Sequence, residues 1–247
     1  MRALKPKKPK LKYALLIIID ILVIAAATFV FYDRFFNKPP TRTSNTNQET
    51  VASKDRTIAF IGDYITTFGG EQAALETLRQ TYPDLEFTSI NLAQESNTSQ
   101  TANDQLTEGL IKDLTIVQIQ TFFVNLGATD AAQKVPAESY IENINHLVAK
   151  LLPIGAKIIL NCPPTINDGR SATDSLLLVY CQKLGEIQTD QVVFGDDSAY
   201  AAFKDTKNAL LASNSLYPNS AGYQKLGQVW AAAYQKAQPA TTPTANQ

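Results

Sequence analysis

Acyl transfer by a serine or cysteine needs a base beside the nucleophile, and histidine is the usual one. The chain of 247 residues holds a single histidine, His146. It falls in Glu138–Leu152, where Ile141, Ile144, Val148 and Leu151 recur at helical spacing. At about 100° per residue, His146 lies about 140° from Ile141 and is expected to face solvent. One imidazole also excludes a His-rich zinc site and a two-His iron site. The two cysteines, Cys162 and Cys181, are too few for a four-cysteine zinc site, an iron–sulfur cluster or a disulfide scaffold. They are either bridged to each other or two buried small hydrophobes. Asp63, Asp130 and Asp168 stand near the ends of apolar runs, where converging carboxylates could do acid–base work. Tyr64 is a conceivable nucleophile, but a phenol of pKa ~10 needs a base, and none is obvious nearby. Gly69-Gly70 reads as a turn before a helix, not as a phosphate-binding loop. No metal and no cofactor are expected.

Short apolar runs alternate with helical patterns, and these elements must position the candidates. Strands are expected at Thr57–Ile61, Leu85–Leu92, Thr121–Leu126, Ala156–Leu160 and Gln191–Phe194. Helices are expected at Glu71–Tyr82, Thr101–Leu114, Glu138–Leu152 and Ser175–Glu186. A last helix is expected to be capped by Asn219 or Ser220, with Leu226, Val229, Trp230 and Ala233 on its buried face. Such alternation implies βαβ units. The fold class is α/β, a three-layer α/β/α sandwich around a five-stranded parallel, flavodoxin-like sheet. Sites in such sheets lie beyond the carboxyl ends of the strands. Those ends are Gly62–Gly70, Ala93–Ser99, Gly127–Asp130 and Cys162–Asn167, joined by the loop Asn214–Asn219.

Three of these segments resemble the sequence blocks of SGNH or GDSL-type hydrolases. Ile58–Thr66 (IAFIGDYIT) is similar to the first block, an apolar strand followed by Gly-Asp-Ser. Val124–Ala131 (VNLGATDA) is similar to the third, Gly-x-Asn-Asp. Asn214–Gly227 (NSLYPNSAGYQKLG) is similar to the last, Asp-x-x-His-Pro-Asn-x-x-Gly-Tyr. The blocks come in family order and span about Asp55 to Lys236. The resemblance implies an esterase-like fold whose serine attacks an acyl carbonyl, with a histidine base, an orienting aspartate and an oxyanion hole. Carried over residue by residue, the nucleophile position is Tyr64 and the base position Tyr217. The orienting acid falls at Asn214, the oxyanion asparagine at Thr129 and, through a looser second block, the oxyanion glycine near Ser96. Every side-chain role is substituted. Asp63 and Asp130 match positions where the family's acids hold loop backbone.

The net charge is −1, but the charge is segregated. Residues 1–12 carry six bases and no acid, and residues 13–32 are apolar except for Asp20. Twenty residues make a helix of ~30 Å, the thickness of a bilayer core. The expected arrangement is a cytoplasmic segment 1–12, a transmembrane anchor 13–32 and a flexible tether 33–54. The domain 55–236 would lie outside the membrane, followed by a disordered tail 237–247. Ala25-Ala26-Ala27 leaves a cleaved signal peptide as the rival reading. Asp20 is either a contact to another membrane helix or a tolerated acid in a single span. Residues 33–247 hold 16 bases and 22 acids, a net −6, which disfavours nucleic acid as a partner.

The leading expectation is a non-catalytic domain. It would bind a cell-envelope glycan or acylated ligand in a cleft lined by Asp63, Tyr64, Thr129, Asn214 and Tyr217. The alternatives are an active esterase or deacetylase using other residues, and an assembly protein with a membrane-protein partner.

Overall fold

A computed structural model describes residues 54–166, 171–195, 197–212 and 216–238. The segments expected at 1–12 and 13–32, the tether 33–54 up to residue 53, the tail 237–247 beyond Gln238, Asp168 and Asn214 lie outside these residues. Among the described residues no helix is long and apolar enough to cross a membrane.

Five strands form one sheet in the order β2-β1-β3-β4-β5, and every neighbouring pair is parallel. They are β1 (Asp55–Gly62), β2 (Glu86–Asn91), β3 (Thr121–Asn125), β4 (Lys157–Leu160) and β5 (Val192–Phe194). The two central strands read as unbroken apolar runs because both faces of the sheet are covered. Side chains alternate between those faces. Phe60 and Phe123, paired in register, stack with centroids 5.1 Å apart. Trp230 lies 6.5 Å from each ring. That aromatic trio joins the sheet to α9 (Ser220–Ala237), which packs against α1 (Glu71–Thr81) on the same face.

Ile61, one residue on from Phe60, points to the other face and lines a cavity there with Ala102 and Leu106. There α2 (Ser99–Gln105) packs on α5 (Ala137–Leu151), and α5 packs on α6 (Ser171–Leu184). Tyr140 of α5 and Tyr180 of α6 stack at 4.0 Å. The Tyr140 hydroxyl donates to Leu126 O at 3.0 Å, so a polar tip is satisfied within an apolar layer.

The helix expected over Thr101–Leu114 is two helices, α2 and α3 (Glu108–Val117). The break lies at Leu106-Thr107, because Thr107 Oγ1 accepts from Leu110 N and starts a new helix. The helix expected at Ser175–Glu186 begins earlier and ends earlier, at Ser171–Leu184. Asn219, not Ser220, caps α9, its Oδ1 accepting from Gly222 N at 2.9 Å. Three short helices carry no sequence expectation: α4 (Ala128–Ala132), α7 (Ser198–Asp205) and α8 (Lys207–Leu210). Cys162 and Cys181 are bridged, their Cα atoms 4.9 Å apart, and both are buried. The bridge ties the exit of β4 to α6.

Candidate functional site

The chain leaves β1 toward β2 on one side and leaves β3 toward β4 on the other. The carboxyl ends of β1 and β3 therefore form the switch point at which open parallel sheets place ligands. Asp63 follows β1 directly and is wholly buried. Its Oδ1 accepts from Ile65 N at 3.1 Å, and its Oδ2 from Ala128 N at 3.2 Å and Thr129 N at 3.4 Å. One carboxyl thus clasps both loops of the switch point. Burial pushes the Asp63 carboxyl up to about 7, against the pull of those N–H donors; the nearby charge of Asp130 adds to the rise.

Asp130 makes a second clasp. It accepts from Ser99 N at 3.0 Å and from Ser99 Oγ at 2.6 Å, and it joins the β3 loop to the start of α2. Asn143 Nδ2 donates to the same Ser99 Oγ at 3.1 Å. Burial raises the Asp130 carboxyl too. Both acids spend their oxygens on loop backbone and Ser99, which is structural work. Gly62 makes the first turn possible, since a β-carbon there would lie 2.1 Å from Thr66 Oγ1.

The positions matched to catalytic side chains hold a different assembly. Tyr64 is 6% exposed and its ring meets Tyr217 edge-on, centroids 5.2 Å apart at 74°. Tyr217 in turn meets Phe68 at 5.4 Å and 79°. The Tyr217 hydroxyl donates to Glu95 Oε1 at 3.3 Å. Burial and the Glu95 charge both raise the Tyr217 phenol, so it holds its proton and is a poor base. Thr129 is buried beneath the same loops, joined to Asp63 through its backbone. Ser96 lies in an exposed turn beside Glu95. His146 is exposed on α5.

The structure therefore brings Tyr64 and Tyr217 together and bonds Thr129 to Asp63, the residue before Tyr64. Ser96 is the neighbour of Glu95, which takes the Tyr217 hydroxyl. Four participants were not among the expected site residues. Phe68 is 53% exposed and flanks Tyr217. Glu95 holds the Tyr217 hydroxyl. Asn97 is buried and donates to Gly62 O at 3.2 Å, which fixes the loop after β2 against the end of β1. Tyr223 lays its ring on Gly69, where a β-carbon would lie 2.9 Å from Cδ1. Its phenol is pushed up to about 12 by burial, with Tyr217 and Asp63 adding to the rise. The near-repetition of aromatics at Tyr64, Phe68, Tyr217 and Tyr223 was the available clue, but only the fold shows which rings meet. Among the described residues, no group of histidine, cysteine and acidic side chains is placed to hold a metal ion.

Several solved structures share this architecture. A lipase from a goat rumen metagenome superposes with a TM-score of 0.62 at 16% identity, over 72% of this chain and 97% of its own. A lipase/acylhydrolase from Enterococcus faecalis gives 0.59 at 18% identity, over 76% and 99%. An acetylxylan esterase from Geobacillus stearothermophilus gives 0.57 at 20% identity, over 72% and 93%. No protein-family model and no curated protein matches the sequence. The likeness lies in the fold, and it bears out the resemblance carried by the three sequence blocks: the domain has the α/β/α fold of the SGNH/GDSL-type hydrolases.

Proposed function

We propose that this chain is a membrane-anchored, extracytoplasmic domain that keeps the hydrolase fold without ester hydrolysis. It would bind a cell-envelope glycan or acylated ligand at the strand ends. The observation that carries the proposal is the Tyr64–Tyr217 contact. At the two positions the resemblance gives to nucleophile and base, two phenol rings pack edge to face, one of them buried. A buried phenol cannot reach a carbonyl carbon in solvent, and a phenol bonded to a carboxylate does not take up a proton. The exposed histidine is on another element.

What the site offers is area and acceptors. Phe68 and Tyr217 present an aromatic surface and Glu95 a carboxylate beside it. Aromatic rings with one polar acceptor suit the apolar faces and hydroxyls of sugars, and also acyl chains. The Cys162–Cys181 bridge supports an oxidising compartment, in keeping with the basic segment 1–12 and the apolar run 13–32.

The test pairs two measurements on the full-length protein in detergent: hydrolysis of p-nitrophenyl acetate, and binding to purified cell-wall glycan. Background-level hydrolysis with glycan binding that Tyr217→Ala removes is the expected result. Turnover that Tyr64→Phe abolishes would replace the proposal with an active esterase. A lack of binding to any envelope fraction would favour an assembly role instead.

A further inference from the structure

Helices α1 and α9 approach closely because residue 227 is glycine. A β-carbon there would lie 2.4 Å from Ala73 O. Beyond this contact the two helices leave a groove of about 500 Å³. Exposed carboxamides form both walls: Gln72 and Gln80 from α1, Gln224 and Gln228 from α9. Glu76 is the one charged residue among its described lining, and it accepts from Gln72 Nε2 at 2.7 Å. Phe68 stands at the groove and at the strand-end site alike, since its ring also meets Tyr217.

We propose that this groove binds a segment of an uncharged polysaccharide, continuing from the strand-end site past Phe68. The proposal rests on the glycan-binding reading above and narrows it to a neutral chain with a defined path. A carboxamide both donates and accepts, so it matches vicinal hydroxyls, which do the same. Facing rows of amides recognise hydroxyls without needing charge. Gln72 to Gln80 spans about 12 Å of helix, enough for several contacts along an extended oligosaccharide. The exposed ring of Phe68 fits the apolar face of a sugar. A groove with one carboxylate and no basic lining residue repels phosphate or uronate, so an anionic ligand is the wrong chemistry here.

The experiment is calorimetric titration of the full-length protein in detergent with cellohexaose, xylohexaose, chitohexaose and a hexagalacturonate. The variants are the exposed pair Gln224→Ala/Gln228→Ala and, separately, Tyr217→Ala, each checked for a cooperative melting transition well above the titration temperature. The expected result is binding of a neutral hexamer, weakened about ten-fold by the glutamine pair, with no binding of the uronate. Equal affinity in the glutamine variant, with loss in Tyr217→Ala, would overturn the groove and leave the strand-end site standing. Tighter binding of the uronate would overturn the neutral specificity. Binding of none of the four would overturn both readings.

Discussion

Two sets of side chains share the ends of β1 and β3. Asp63 and Asp130 are buried, and each ties two segments together through backbone N–H groups or Ser99. Tyr64 and Tyr217 occupy the positions matched to nucleophile and base; their rings meet edge to face, and Tyr217 also meets Phe68 and Glu95. The loops at the strand ends are thus held in place, while two aromatic rings occupy the positions that the resemblance gives to nucleophile and base. The difference separates two requirements that an active enzyme meets together. Holding the loops depends on satisfying buried N–H donors, whatever the site does. Catalysis depends on a proton-accepting side chain beside a nucleophile, and here two rings fill that space.

The contrast breaks most visibly at Asp63. Replacing it with alanine leaves three buried N–H groups without an acceptor, a loss of about 3 kcal/mol or more. Chemical denaturation should show it, and an unchanged midpoint would mean that the clasp is dispensable. Next comes the bridge between β4 and α6. A double Cys162→Ala/Cys181→Ala change should cost about 3 kcal/mol, read in the same way, and a reducing agent should have no effect on that variant.

The Asp63 carboxyl also makes a pH prediction. Its value rises from 3.8 to about 7 on burial, so the folded protein keeps a proton that the unfolded chain releases near 4. The stabilisation is complete below about pH 4 and is lost as pH rises through about 7, by up to about 1.4 kcal/mol per pH unit. Melting of Asp63→Asn should lack this fall. A native protein whose stability rises with pH relative to Asp63→Asn would contradict the sign. Tyr217→Ala should have the smallest effect, about 1 kcal/mol from the lost edge-to-face contacts, because the ring is only half-buried. A loss as large as that of Asp63→Ala would make Tyr217 part of the scaffold and erase the distinction.

The sheet was legible because its signals are long and redundant. Ile58–Ile61, Phe122–Val124 and Ile158–Leu160 are unbroken apolar runs buried on both faces, and periodicity finds them. The division at Leu106-Thr107 was not legible, since Leu106, Leu110 and Ile111 keep helical spacing across it; a single hydroxyl, Thr107 Oγ1, decides it. The short helix Ala128–Ala132 has no period of its own, and the Asp63 carboxyl at its first two N–H groups helps to hold it. At the site, single-residue matches located Tyr64, Thr129 and Tyr217. Phe68, Glu95 and Tyr223 became visible only when the loops were folded together, because ring-to-ring contact depends on tertiary geometry that no spacing encodes.

The central claim is that this hydrolase fold holds its loops without the chemistry. The most direct measurement is p-nitrophenyl acetate hydrolysis by the full-length protein, beside Tyr64→Phe at equal concentration. The account predicts the same background rate for both. A rate above background that Tyr64→Phe removes would contradict it and make Tyr64 a nucleophile.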